Sequence, residues 1–189
     1  NAVIIENAGQ IQFSEDIKTV VNKDKNDVVI SRNSSVTVTD ENGKLIEKYK
    51  IPYGSTLFQK NNTFLDAGTK VASWDPYTRP IISEANGTIN FIDMDDGVTV
   101  RKKNDELTGL SSIEIIDSSE RTSAGKEKTP ILEIVDAKGK PVLIGEHKAP
   151  ARYAMPAKSL INLKDKSKIY AGEVIARIET SKLETDNLQ

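Results

Sequence analysis

Residues 51–74 recur as residues 155–178 without a gap, and this internal duplication constrains the fold more than any other feature of the chain. Pro52 falls on Pro156, Ser55 on Ser159, Lys60 on Lys164, Ala67 on Ala171, Gly68 on Gly172 and Ala72 on Ala176. Ile51, Leu57, Leu65, Val71 and Trp74 meet Met155, Ile161, Ile169, Ile175 and Ile178, so apolar character is kept where identity is not. Other blocks follow in the same order. Gly9-x-Ile11-x-Phe13 returns as Gly87-x-Ile89-x-Phe91, Thr19-Val20 as Thr99-Val100, and Asp40-x-x-Gly43 as Asp136-x-x-Gly139. The chain reads as two copies of one β module, paired without a Ser/Gly/Pro-rich linker. The expected modules are residues 8–85 and 86–180, with the hairpin at 80–100 open to packing on the first and 181–189 as a tail.

The module is built from strands. Ile11-Gln12-Phe13, Val36-Thr37-Val38, Ile89-Asn90-Phe91, Val98-Thr99-Val100 and Ile113-Glu114-Ile115 alternate apolar and polar residues, the period of a strand with one buried face. Pro52, Pro80, Pro130, Pro141 and Pro156 interrupt any long helix, and 118–124 has room for a turn or two. Asn42-Gly43, Asn86-Gly87 and Asp96-Gly97 are each expected to close a tight hairpin. Leu57, Val71, Trp74, Ile161, Ile175 and Ile178 are expected in the core, with Gly68 and Gly172 in equivalent turns. The fold class is all-β.

Composition removes many functions. There is no cysteine and one histidine, His147, so disulfides, thiol catalysis and two-histidine sites within this chain are excluded. No apolar run approaches the roughly 20 residues that span a bilayer, and no charged-then-apolar leader opens the chain, so no membrane or export role is expected. The formal charge is -2 and there are ten aromatic residues, a poor basis for reading nucleic-acid sequence.

Each candidate site has a sharp reading and a bland one. The runs Arg101-Lys102-Lys103 and Lys164-Asp165-Lys166 are the most basic, and Arg101, Lys102 and Lys103 form the candidate interaction surface. Asp93-Met94-Asp95-Asp96-Gly97 looks like an oxygen-rich metal loop. It lacks the alternating ligands of a calcium loop, and Asn104-Asp105-Glu106 follows at a poor distance, so an acidic hairpin end is favoured. Trp74-Asp75-Pro76-Tyr77 could stack on a sugar but fits a core Trp ending a strand. Lys25 and Lys138 lie in turns, as a carrier lysine would, yet neither has a biotinyl or lipoyl context. No catalytic residue, cofactor site or metal site is assigned.

The apolar-Pro-x-x-Ser block followed by Ala-Gly-x-x-apolar-Ala resembles the barrel-sandwich hybrid modules that include lipoyl and biotinyl domains. A more specific resemblance lies in four stretches: Trp74 to Glu84, Asp105 to Ser112 (Asp-Glu-Leu-Thr-Gly-Leu-Ser-Ser), Asp117 to Thr122, and Ile134 to Ala137. Together they resemble the lineage-specific insertion in the trigger loop of the largest subunit of proteobacterial RNA polymerase, over roughly residues 8–178. The resemblance implies two tandem sandwich-barrel hybrid motifs and an accessory, non-catalytic role in a DNA-directed RNA polymerase. It implies a nucleotidyltransferase parent using magnesium and zinc held elsewhere, and the remaining β and β′ parts, DNA, RNA and transcription factors as partners. It also implies a cytoplasmic, nucleoid-associated setting and a monomeric isolated chain. The family's magnesium motif, zinc cysteines and trigger helices do not occur here, and Thr180 to Gln189 does not continue into a trigger helix. Asn1-Ala2 reads as a cloning remnant and the chain as an excised insertion. The rival expectation is an independent β binding module, a lipoyl- or biotinyl-like carrier or a glycan-binding domain.

Overall fold

The computed structural model describes residues 1–104, 107 and 109–179. Three residues of the Asp105 to Ser112 run (Asp105, Glu106 and Thr108) and the tail beyond Glu179 lie outside the described residues. The chain divides into two compact units, Asn1–Tyr77 and the portion from Thr78 onward.

In the first unit the strands are β1 (Ala2–Ile4), β2 (Gly9–Phe13), β3 (Thr19–Val21), β4 (Asp27–Val29), β5 (Ser34–Thr39), β6 (Leu45–Ile51), β7 (Thr56–Leu57), β8 (Phe64–Leu65) and β9 (Lys70–Ser73). They form two antiparallel sheets, ordered β1-β9-β7-β4-β3 and β6-β5-β2-β8. In the second unit they are β10 (Thr78–Ile82), β11 (Gly87–Ile92), β12 (Val100–Asn104), β13 (Ser111–Ile115), β14 (Ile131–Val135), β15 (Leu143–Ile144), β16 (Ala149–Pro150), β17 (Arg152–Ala154), β18 (Leu160–Ile161), β19 (Lys168–Ile169) and β20 (Val174–Glu179). Their sheets run β10-β20-β18-β13-β12 and β17-β14-β11-β19, with β15 and β16 as a separate hairpin. Apart from that hairpin, the two strand orders match position for position. The duplication read from the sequence is a duplication of topology.

The offset between equivalent residues grows along the chain: 78 at Ile11 and Ile89, 81 at Thr19 and Val100, 86 at Val29 and Ile115, 96 at Val38 and Ile134, 104 at Leu57 and Ile161. Each step is an insertion in the second copy. The largest carries two short helical turns, Ser118–Glu120 and Ser123–Lys126, and the next carries the β15–β16 hairpin. One block of the sequence alignment is corrected here. Thr19 sits opposite Val29 and Val100 opposite Ile115, so Thr19 corresponds to Val100 rather than Thr99. The N–H of Ile30 donates to Lys18 O and that of Ile116 to Thr99 O, both at 2.9 Å, which fixes the same register. A slip of one residue turns a strand's side chains to the other face, so the correction decides which residues are comparable.

Short motifs are conserved between the copies because they make the same bonds. In each Pro-x-x-Ser block the serine hydroxyl donates back to the proline carbonyl, at 2.6 Å for Ser55 and 2.7 Å for Ser159, and both serines are fully buried. Asp40 and Asp136 each accept two backbone N–H groups, from Asn42 and Lys44 and from Lys138 and Lys140. Gly43 and Gly139 follow in the left-handed region at φ 78° and 81°. That region suits glycine because a Cβ there meets its own carbonyl. Gly68 and Gly172 occupy equivalent turns, donating to Ile5 O and Ser83 O at 2.8 Å.

Of the three expected hairpin turns, one closes a hairpin. Asn42-Gly43 joins β5 to β6, with the glycine alone at positive φ. Asp96-Gly97 turns ahead of β12 without pairing β11 to it, since those strands belong to different sheets. Gly87 is not a turn residue at all: it begins β11, and its hydrogen faces the neighbouring strand so closely that a Cβ would lie 2.6 Å from Val135 O. Gly9 stands in the same place, with Thr39 O at 2.5 Å. The repeated Gly-x-Ile-x-Phe motif therefore begins with glycine for want of space.

Each unit has its own apolar cluster. Ile5, Ile11, Val29, Val36, Val38 and Val71 are fully buried in the first; Ile89, Ile115, Leu132 and Ile134 in the second. Leu57, Val71, Ile161 and Ile175 are core residues as expected. Trp74 and Ile178 are only partly buried: Trp74 directly follows β9, and Ile178 is the penultimate residue of β20.

Candidate functional site

Arg101, Lys102 and Lys103 lie on β12, an edge strand. Strand alternation divides them: Arg101 and Lys103 share one face, Lys102 takes the other. Glu114, opposite Arg101 on β13, receives both members of the pair, with Arg101 Nε at 3.5 Å and Lys103 Nζ at 3.1 Å. Arg101 also donates to Glu120 at 2.9 Å. Two of the three charges are thus compensated within the unit, and Lys102 points elsewhere. The run is a basic stretch of sequence and a mixed-charge surface in space.

The acidic loop is organised around Thr99, which is fully buried. Its hydroxyl donates to Asp93 O at 2.6 Å and accepts from the Asp95 N–H at 2.8 Å. Outside this core, Asp93 accepts the Thr129 N–H at 3.2 Å and Asp95 pairs with Lys128. The hydrogen bond and the charge of Asp95 raise the Lys128 ammonium above its ordinary 10.5. Two of the loop's three carboxylates, those of Asp93 and Asp95, are thus engaged by the chain itself. Among the described residues no group of three or more His, Cys, Asp or Glu could hold a metal ion. The described residues do not fit the zinc or magnesium that the resemblance implies for the parent.

The remaining candidates are dispersed. His147 is exposed in the turn between β15 and β16. Lys138 sits in the Asp136 turn, and Lys25 at the β3–β4 tip, where Asn22 Oδ1 accepts from Asp24 and Asn26 and Lys25 takes φ 64°. Trp74 exchanges backbone hydrogen bonds with Asn1, at 2.9 and 3.0 Å, as a strand-end residue.

Sequence reasoning missed a basic pocket of about 600 Å³ in the first unit, beside the β4–β5 connection and the edge strand β6. Its lining includes Arg32, Asn33, Ser35, Lys48, Lys50 and Tyr53 and contains no carboxylate. Lys48 and Lys50 project from one face of β6, opposite Thr37 and Ser35. Tyr49 and Glu47 take the other face, where the Tyr49 hydroxyl donates to Glu47 at 2.5 Å and the N–H groups of Glu6 and Asn7 donate at 2.8 and 3.2 Å. Partial burial pushes the Glu47 carboxyl up, but these three donors together hold it below its ordinary 4.5, while the same bond pushes the Tyr49 hydroxyl up to about 12. The legible signal was Lys48-x-Lys50, a spacing of two on an edge strand.

The fold defines a tandemly duplicated, mostly β protein of several antiparallel sheets, with no helix among the described residues long and apolar enough to cross a membrane. No family model matches the chain. Comparison with characterised proteins does find relatives. The chain is 45% identical over 178 residues to the DNA-directed RNA polymerase subunit beta′ of Idiomarina loihiensis, a match covering 94% of this chain and 12% of that protein. The same subunit of Shewanella amazonensis is 45% identical over 184 residues (96% and 13%), and that of Colwellia psychrerythraea 41% over 188 residues (100% and 13%). The chain thus corresponds to a segment of the β′ subunits it matches and spans 12–13% of their length.

Proposed function

We propose that the chain is an accessory, non-catalytic insertion of the DNA-directed RNA polymerase β′ subunit, carried within the trigger loop and modulating that loop's folding. Identity of about 45% over nearly the whole chain, confined to about an eighth of each relative, is the observation that carries this reading. On it, the parent enzyme performs DNA-templated RNA synthesis with magnesium and zinc bound elsewhere, in the cytoplasm and at the nucleoid. The matching strand orders of the two units support assigning each to the sandwich-barrel hybrid motif.

The mechanism follows from linkage. In the family the chain resembles, the trigger loop folds over the incoming nucleotide and unfolds for translocation. A folded body attached to such a loop moves when the loop folds. Any contact it makes differently in the two positions biases the equilibrium, and ~1.4 kcal/mol of difference changes the ratio tenfold. Elongation, pausing and transcript cleavage would all respond, through the remaining β and β′ surface or a transcription factor. Arg101, Lys102 and Lys103 form one proposed contact surface.

The test is deletion of the residues equivalent to 8–178 from β′ with the ends rejoined, followed by single-round elongation at subsaturating nucleotide. The expected enzyme still polymerises RNA but pauses or elongates differently. Complete loss of catalysis in a correctly assembled deletion enzyme refutes the accessory role, and identical pausing, elongation and cleavage refute the modulatory one. Alanine at Arg101, Lys102 and Lys103 together should reproduce part of the deletion phenotype; a triple variant that behaves as wild type removes that surface from the proposal.

A further inference from the structure

We propose that the basic pocket of the first unit binds the phosphodiester backbone of a single-stranded nucleic acid. The chain as a whole is slightly acidic, but the pocket is not: Arg32, Lys48 and Lys50 line it without a carboxylate. None of the three forms an ion pair with an Asp or Glu among the described residues. Ser35 and Asn33 add neutral polar groups to the same wall. The Arg32 guanidinium lies over the Tyr53 ring, 5.8 Å from its centroid, bringing a planar cation and an aromatic ring to one rim. Cations that track phosphates beside an aromatic stacking group are the usual combination in sites for single strands.

The duplication supplies an internal control. Tyr49 and Tyr153 are equivalent, facing Val36 and Leu132, which makes Arg152 the counterpart of Lys48 and Ala154 that of Lys50. In the second unit, Arg152 faces Glu133 and donates to it at 2.5 Å, so its charge is neutralised across the strand pair. Thr37 occupies the position of Glu133 in the first unit, and Ser35 that of Ile131. One scaffold thus carries a compensated cation in one copy and two uncompensated cations in the other. Accumulated positive charge beside hydroxyls and an aromatic ring is what a polyanionic strand recognises. Contacts to phosphate and a stacked base carry little sequence information, which agrees with a chain whose composition argues against sequence readout.

The test uses the full 189-residue chain and fluorescence anisotropy with labelled 12-nucleotide oligo-U RNA and oligo-dT DNA over a salt series. Binding should be salt-dependent, and Arg32→Ala, Lys48→Ala and Lys50→Ala combined should weaken it at least about tenfold and reduce the log–log salt slope by about 2. Tyr53→Leu should weaken it about tenfold with the slope unchanged. Lys138→Ala, an exposed turn lysine, should change neither. Circular dichroism checks that the variants are folded, and all substituted side chains except Tyr53 are exposed. Comparable affinity for RNA and DNA is expected, since the phosphodiester is common to both. The proposal is overturned if the chain binds neither oligonucleotide, or if the triple variant keeps wild-type affinity and slope. Equal competition by polyglutamate of matched charge would assign the pocket to an acidic protein instead, and displacement by low-millimolar inorganic phosphate would assign it to the free anion.

Discussion

Replacing Gly9 by alanine places a Cβ 2.5 Å from Thr39 O and 2.6 Å from a Val38 methyl. The backbone conformation at Gly9 is one that alanine adopts, so the cost is steric. To reach a tolerable contact, β2 and β5 must separate by at least about 0.5 Å, straining the ladder around the Gln10–Thr39 pair. Overpacking of this kind costs about 1–3 kcal/mol. A weakened ladder bond adds about 1 kcal/mol, and the stiffer unfolded alanine chain returns about 0.4–1 kcal/mol. The expected net loss is about 2 kcal/mol, or roughly 8–16 °C in melting temperature for a unit of this size. Gly87→Ala should cost as much in the second unit, where Val135 O lies at 2.6 Å. Gly43→Ala is the comparison: nothing lies within 4 Å of its Cβ, and φ of 78° alone penalises it. Urea unfolding followed by residue-resolved hydrogen exchange reads the effect, with Gly9→Ala loosening first-unit amides and Gly87→Ala second-unit amides. If Gly9→Ala and Gly87→Ala each change stability by less than about 0.5 kcal/mol, close approach is not why these glycines recur.

Ser55→Ala and Ser159→Ala should each cost about 1–2 kcal/mol in chemical denaturation, because the bond from a fully buried serine hydroxyl to the proline carbonyl is lost in both copies alike. Lys25→Gly should raise stability by about 0.5 kcal/mol, since lysine at φ 64° pays the left-handed penalty and the Lys25 N–H bond to Asn22 O survives the substitution. The Glu47 carboxyl is held below 4.5, so the stability it contributes is present above that value and is lost as pH falls through its folded value. Tyr49 acts at the other limit: its proton is retained to about 12, so its contribution is complete below 10 and disappears as pH rises toward 12. Urea midpoints across both ranges should flatten for Glu47→Gln in acid and for Tyr49→Phe in alkali; unchanged profiles would remove the clamp between β6 and residues 6–7.

Sequence by itself determined the features whose causes are local. Alternation at Ile11, Val36, Ile89 and Ile113 announced strands, because a side-chain period of two is a property of the extended backbone. The Asp40 and Asp136 turns and the two Pro-x-x-Ser blocks were legible because each closes its bonds within five residues, so the same letters yield the same geometry twice. Their recurrence in order was enough to recognise a duplication. Tertiary structure alone decided what depends on the strand lying alongside. It fixed the single-residue register at Thr19 and Val100, and it revealed Gly87 as a point of close approach instead of a turn. It also separated a basic run from a basic site: Arg101 and Lys103 are compensated by Glu114 across the ladder, whereas Lys48 meets Thr37. Coulombic compensation acts through space, and the cross-strand partner that supplies it stands many residues away in the chain.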